Sequence, residues 1–392
     1  MTLPLDGLRI LAVEQYGAGP FGTQHLADLG AEVIKIENAA QGGDVGRLVG
    51  PHFFGEGDSH FYQAFNRNKR SITLDLKSAQ GRTALHKLVE GADAVFNNLR
   101  GDLPAKLGLD YAVLGKVKKD IVCCHLSAYG RDGTRANWPG YDYLMQAEAG
   151  YLSVTGEPGQ PPSRFGLSVI DMMTGTMSAL ALVSAVLGAR ATGQGRDIDT
   201  SLYEVAMHNL GYLATWYLNE GVNTGRHPRS AHPSLTPSQL YKTSDGWIFV
   251  MCNKEKFWGV FCDAIGKPEW KTDSRFNTFK ARLENRDLLT EVMDQVLMED
   301  TAEAWMTRLG GKVPASPVYD VGSALDAPFA RERGMIAEVP HPARGKIGTV
   351  ACPIRCPGDD LPLRPGPALG ADNDDILGAI GMLHPEDMKN TG

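Results

Sequence analysis

Residues 7–37 read GLRILAVEQYGAGPFGTQHLADLGAEVIKIE, and this stretch decides the fold class. Residues 8–13 form an apolar run of strand length, and residues 32–37 form another. Between them Pro20 suits the first turn of a helix, where its missing N–H is harmless, and Gly30 suits the position just past the helix end. Strand, helix and strand at this spacing predict a parallel pair joined by a crossover helix. The pattern continues outward with strands over 71–76, 92–96 and 120–126 and a helix reaching about Val89. The first part of the chain therefore reads as an α/β domain with a parallel sheet and helices on both faces.

Further along, residues 140–151 read as helical and are followed by the loop TGEPGQPPSRFG (155–166). A long apolar helix is expected over 171–191, closed by Gly193 and Gly195. The short strand RDIDTSL leads to a helix over 203–218. Residues 221–237 are a polar linker rich in Arg and His. A second unit follows, with hairpin strands within 239–252 and helices over 257–265, 282–298 and 302–309. The tail from about Pro328 is rich in proline and glycine and is expected to wrap over another part of the chain.

Composition narrows the function classes. The chain has 392 residues, 43% of them apolar and 22% charged, which fits a globular protein with a substantial core. Lys plus Arg number 39 against 46 Asp plus Glu, a net charge of -7, with no basic run, so neither nucleic acid nor a membrane surface is expected as a partner. No signal peptide is visible, and the most apolar stretch, 177–189, is shorter than the roughly 20 residues a bilayer span needs. Cys123, Cys124, Cys252, Cys262, Cys352 and Cys356 are too sparse for a disulfide scaffold, and no ligand-spaced His or Cys pair accompanies them. The expectation is a cytoplasmic protein with reduced thiols and no metal.

Two features carry chemistry. Gly17-Ala18-Gly19-Pro20-Phe21-Gly22 matches G-x-G-x-x-G between a strand and a helix, with Glu37 at the end of the next strand, the formal dinucleotide fingerprint. Glu14, Gln15 and Tyr16 interpose between the strand and the first glycine, so a plain strand-to-helix turn with a glycine-rich start is the alternative. The second feature is Asp171, between FGLSVI and the apolar helix MMTGTMSALALV. A carboxylate at a helix N-terminus is favoured by the dipole and free N–H groups, which keeps it ionised as a nucleophile requires. Gly175, one turn on, permits close approach; the alternative is an ordinary capping aspartate.

The stretch 7–37, together with NRNKRSITLDLK (66–77), GYDYLMQAEAGYLSVTGEPGQPPSRFGLSVIDMMTG (140–175), TGQGRDIDTSLYE (192–204) and KPEWKTDSRFNTFKARLENR (267–286), resembles the class III CoA transferases over nearly the whole chain. The family includes formyl-CoA transferase, carnitine CoA-transferase and the 2-methylacyl-CoA racemases. The resemblance implies an α/β fold: a Rossmann-like large domain with a parallel sheet, plus a smaller α+β domain, with two chains interlocked as a homodimer. Residues 1–220 would begin the large CoA-binding domain, 221–326 form the small domain, and 327–392 return to complete the large one.

By the same resemblance Asp171 is the nucleophile that carries the acyl group as an anhydride and then CoA as an aspartyl thioester. Acyl-CoA and a carboxylic acid are substrates, and no cofactor is permanently bound. Gln15, Tyr16, Gly17, Ala18 and Tyr141 would line the site or form its oxyanion hole. Leu74, Lys77, Asn98, Leu99, Arg100 and Lys106 would bind CoA.

The chain departs from the family at several points. Gly17 replaces the glutamine of formyl-CoA transferase, Asn38 replaces a family arginine, and the short stretch GRHPRSAHPSLTP replaces a glycine-rich loop. Arg164, Arg226, Arg229 and His232 are candidates for the distal charge of a dicarboxylate such as succinate, mesaconate, citramalate, itaconate or glutarate. The alternative within the family is a racemase, whose histidine position aligns with Tyr141 and whose glutamate aligns with Lys254; a neutral phenol is a poor proton carrier at neutral pH. An NAD-dependent dehydrogenase is the remote alternative.

Overall fold

The structure is a computed structural model that describes residues 3–358 and 361–382. Six parallel strands form the main sheet: β1 (Arg9–Val13), β2 (Glu32–Glu37), β5 (Arg70–Thr73), β6 (Ala94–Asn97), β7 (Val122–Ser127) and β8 (Arg196–Ser201). A short antiparallel ribbon, β3 (Phe53–Gly55) and β4 (Asp58–Ser59), is inserted between β2 and β5. The sheet order is β5-β2-β1-β6-β7-β8. Successive strands are laid down to one side of β1 and then to the other. The topology therefore reverses between β1 and β6, and open α/β sheets bind ligands beyond the carboxyl ends of the strands at such a point.

Strand composition follows from burial on both faces. Ile10, Leu11 and Ala12 of β1 and Ala94 and Val95 of β6 have no solvent exposure, as expected of parallel strands covered by helices. Leu85, Leu88 and Val89 of the helix Ala79–Glu90 pack on Ile34, Ile36 and Ile72 to fill one side. Each such aliphatic side chain contributes roughly 1.5–3 kcal/mol through burial.

The long helix runs over Val169–Thr192 and ends on left-handed Gly193. It covers the expected 171–191, and at 24 residues it is, among the described residues, the one helix long and apolar enough to cross a membrane. Thr174, Thr176 and Ser178 fit inside it because their hydroxyls donate to main-chain carbonyls four residues earlier. Its inner face, including Ile170, Gly175, Ala179 and Leu182, is buried against the sheet and the first helix (Ala18–Asp28).

The described residues from Arg331 to Met382 belong to this same unit. A hairpin, Ile336–His341 with Gly345–Val350, is followed by a proline-rich run whose carbonyls serve earlier side chains: Arg47 and Tyr62 donate to the Pro367 carbonyl, and Asn68 donates to that of Pro362. Edge strand β5 is covered by the same segment. The Ser71 N–H donates to Asp372 Oδ2, the Asp372 N–H donates to the Ser71 carbonyl, and the Thr73 N–H donates to Asn373 Oδ1.

The second unit comprises 150–165 and 211–330. A three-stranded antiparallel sheet, Ser238–Thr243, Gly246–Met251 and Ala315–Pro317, packs Tyr241, Ile248 and Val250 against Trp258, Phe261, Leu289 and Trp305. Two helices expected as single pieces are broken. Residues 203–218 divide into Leu202–His208 and Tyr212–Glu220 around Gly211, whose φ of 56° leaves the helical region. Residues 282–298 divide at Asn285.

Candidate active site

The turn after β1 is held by side chains from neighbouring strands. Gln15 donates its N–H to Asn98 Oδ1 at 2.9 Å and accepts from Asn98 Nδ2 at 2.7 Å. Asn98 directly follows β6, so the clamp bridges the two strands at the topological switch. The Tyr16 N–H donates to Asp44 Oδ1 at 2.8 Å, and the Glu14 carbonyl accepts from Lys35 Nζ at 3.0 Å. Beneath lies a buried ion cluster. Lys35 pairs with Asp44 at 2.7 Å and Lys69 pairs with Glu14 at 2.7 Å, all four side chains being fully buried. Burial opposes the charge on Lys35, but Asp44, Glu14 and Glu37 outweigh it and hold the amine protonated. Burial dominates at Lys69 and brings its amine down to about 8. Such a cluster is a weak source of net stability but is costly to break singly, about 3–5 kcal/mol.

The three fingerprint glycines have local reasons. A Cβ on Gly17 would lie 2.9 Å from Asp171 Oδ2, one on Gly19 would lie 2.8 Å from Asn98 Cγ, and one on Gly22 would lie 2.3 Å from the Gly175 carbonyl oxygen. Glu37, which the fingerprint would place on a ribose, is occupied by Arg47 at 2.6 Å and by Ser71 at 2.7 Å. The glycines thus fit the first helix to Asn98 and the long helix, and the dinucleotide reading of this motif loses its acidic residue.

Asp171 is the third residue of the long helix and is buried. Its N–H donates to Asp142 Oδ2 at 2.9 Å, and Asp142, itself buried, also accepts from Gln146 Nε2. The expectation that the helix terminus keeps this carboxyl readily ionised is corrected. Burial first, and the Asp142 charge second, push it up to about 7. Desolvation of an anion together with a neighbouring like charge exceeds the roughly 0.3–1 kcal/mol a helix terminus supplies. Asp142 is a site residue that the sequence did not disclose. It lies 29 positions from Asp171 and carries no signal beyond following Tyr141.

Asp171 opens onto a cavity of about 190 Å³ that Gln15, Tyr16, Gly17, Ala18, Asn98 and Tyr141 line with it, so the expected lining residues are brought together. Leu99 and Arg100 also border it. Tyr16 has φ 67°, a left-handed conformation that costs a bulky residue of order 1–3 kcal/mol. Its ring packs against Phe61 with centroids 5.1 Å apart and lies edge-on to Tyr141 at 6.1 Å. A second cavity of about 300 Å³ shares Gln15 and Leu99 with the first and is lined by Leu74, Lys77, Asn38 and Glu37. Arg100 and Lys106 are both drawn onto Asp102, at 2.5 and 2.6 Å, forming an exposed group of two cations and one anion. Lys106 borders neither cavity.

The remaining candidates belong to the second unit. The Arg164 guanidinium donates to the Phe165 carbonyl. Arg226 donates to the carbonyls of Glu157, Gln160 and Pro161. Arg229 pairs with Asp294 at 2.7 Å. His232 accepts the N–H groups of Ser234 and Leu235 on Nδ1, and burial and Arg286 lower its pKa, so the ring is neutral at pH 7. Elsewhere in the larger unit, His25, Asp28 and Cys352 bring one ligand atom each within 4.8 Å of one another, a grouping that linear spacing hides. The Asp28 carboxylate is already engaged by Arg67 and Asn68, so we read it as an ion-pair cluster.

Comparison with known proteins places this geometry. The family model described as CoA-transferase family III matches residues 5–373. A succinate–glutarate CoA-transferase of Agrobacterium fabrum is 32% identical, the match covering 96% of each chain. A succinyl-CoA:mesaconate CoA-transferase of Haloarcula hispanica is 31% identical, covering 92% of this chain and 93% of that protein. Among solved structures, a CAIB/BAIF family protein from Brucella suis superposes with a TM-score of 0.84 at 32% identity, covering 97% of this chain and 100% of the other.

Proposed function

The chain belongs to CoA-transferase family III, and from that premise we propose that it moves CoA between two dicarboxylic acids with Asp171 as the covalent carrier. The observation that carries this reading is the Asp171 carboxyl itself, buried, facing a cavity and approached by Gly17 with no side chain between. Its raised pKa makes the ionised form a strong nucleophile, and the cavity limits the water that would hydrolyse an anhydride.

In the proposed sequence the Asp171 carboxylate attacks the thioester carbonyl and expels CoA thiolate, giving a mixed anhydride. The thiolate attacks the aspartyl carbonyl, releasing the first acid and leaving aspartyl-CoA. The acceptor carboxylate then attacks that thioester and forms a second anhydride, from which the thiolate takes the new acyl group and regenerates Asp171. The thioester's free energy is kept at every step. The N-terminus of the first helix, at Gly17 and Ala18, supplies main-chain N–H groups toward the developing oxyanion. Leu74, Lys77 and Leu99 hold the adenosine end in the larger cavity, Arg100 and Lys106 meet the phosphates, and Asn98 acts through the Gln15 clamp.

Glutarate and mesaconate, five-carbon dicarboxylates for which relatives are named, indicate the acid size we propose. For its distal carboxylate we propose Arg164, Arg226, Arg229 and His232. We also propose the interlocked homodimer, which would cover Leu180 and Leu187 of the long helix, now 61% and 64% exposed, and a cytoplasmic setting, which suits six free thiols.

Incubation with succinyl-CoA followed by peptide mass spectrometry tests the carrier. The expected result is a CoA adduct on the Asp171 peptide that hydroxylamine removes and Asp171→Asn lacks. Absence of an adduct from any thioester, with exchange of an α-proton in deuterated water, would replace this reading with a racemase. A second measurement is the pH profile of kcat/KM. Because only the carboxylate attacks, the rate should rise with pH and level off above an apparent pKa near 7; a profile flat from pH 5 to 9 would contradict the assignment.

A further inference from the structure

Three consecutive residues in the turn after β1 have their main chain fixed by side chains from elsewhere. Lys35 binds the Glu14 carbonyl, Asn98 binds both polar groups of Gln15, and Asp44 binds the Tyr16 N–H. Together they hold Tyr16 at φ 67°, a conformation glycine adopts freely. Gly17 must lack a side chain, since a Cβ there meets Asp171. Tyr16 keeps a large side chain in spite of its backbone, which points to a need for that side chain.

The ring sits between Phe61 and Tyr141 and remains 37% exposed in the cavity that holds Asp171. Burial and the charge of Asp171 both raise the Tyr16 pKa, so the phenol stays protonated and is a hydrogen-bond donor throughout the neutral range. The two influences on the Asp171 pKa, burial and Asp142, include no cation.

We propose that Tyr16 determines specificity for the free acid, forming with Tyr141 a pair of phenol donors that hold the reacting carboxylate for attack on the aspartyl carbonyl. The inference rests on the transferase reading above. A guanidinium in this place would pair with the resting Asp171 carboxylate and depress its pKa by about 1–3 units, weakening the nucleophile. Phenols avoid that pairing, yet bind an incoming carboxylate once Asp171 is a neutral thioester. Because the donor acid leaves through the position the acceptor acid takes, both free acids should depend on Tyr16 alike.

Tyr16→Phe and Tyr16→Gly test this in the full-length enzyme, with forward and reverse reactions measured against each free acid and each thioester. Tyr16→Phe is expected to raise KM for both free acids about tenfold or more, the loss typical of one hydrogen bond to a charged group, with KM for the thioesters changed less than about threefold. Tyr16→Gly should lose at least as much while its Tm does not fall, since glycine relieves the backbone. Equal losses for acids and thioesters together with a lower Tm would show a merely structural residue, and unchanged acid kinetics in Tyr16→Phe would overturn the proposal outright. If the wild-type protein forms no Asp171 adduct, the transferase reading fails and this inference fails with it.

Discussion

Asp171→Asn is expected to lose transferase turnover by about 10⁴-fold or more and to unfold later than the parent protein. The activity loss follows from chemistry: an amide cannot form the anhydride, and residual binding does not replace a covalent carrier. The stability gain follows from the displaced pKa. Asp171 titrates near 7 in the fold against 3.8 for an ordinary aspartate. The folded state therefore holds the proton more tightly than the unfolded chain. The carboxyl's contribution to stability is complete below pH 3.8 and is lost as pH rises through 7. At pH 8 the wild type carries the full penalty, at most about 4 kcal/mol, and asparagine removes the charge while its N–H still reaches Asp142. A gain of about 1–3 kcal/mol at pH 8 that shrinks to about 0.5 kcal/mol or less by pH 4 is the expected signature in urea melts. Equal stability at both pH values would mean that Asp171 is not the strained group described.

The second large effect belongs to Gly175→Val. The first and long helices touch backbone to backbone: a Cβ on Gly175 would stand 2.3 Å from the Ala18 carbonyl oxygen, and one on Gly22 2.3 Å from that of Gly175. No rotamer relieves a clash with main chain, so the helices must separate. A destabilisation of about 3–5 kcal/mol is expected, at the upper end for overpacking. Asp171 is one turn away on the same face, so any protein that folds should also lose activity as the carboxyl withdraws from Gly17. Gly188→Ala is the matched control, since its Cβ meets nothing within 4 Å and a mid-helix alanine should stabilise by about 0.5–1 kcal/mol. If Gly175→Val melts like that control, the crossing is looser than described.

What the sequence discloses and what it hides divide along physical lines. The parallel sheet was legible because strands buried on both faces read as uninterrupted apolar runs; β1, β2 and β7 fall within residues of where the runs place them. Helix breaks were not legible, because Gly211 and Asn285 act through their dihedral angles and sit in otherwise helical stretches. Gln15, Tyr16, Gly17, Ala18, Tyr141 and Asp171 of the cavity lie in motifs that carry the resemblance. Asp142 and Asp44 escaped notice. Each fixes the main chain of a residue 29 or 28 positions away, and nothing local marks an aspartate for such work. Local pattern also misjudged the electrostatics of Asp171: the helix terminus is visible in one dimension, whereas burial and a second carboxylate exist only in three.

The cover over edge strand β5 has a consequence for how the protein is made. Ser71 and its partner Asp372 are 301 positions apart, so the strand leaves the ribosome long before the segment that seals its hydrogen bonds. At ordinary elongation rates of roughly 5–20 residues per second, the sheet waits on the order of 15–60 s with an open row of N–H and C=O groups. A nascent chain in that interval is a template for pairing with its neighbour on the same polysome. Its yield in the cell is then a matter of chaperone occupancy and translation speed as much as of final stability.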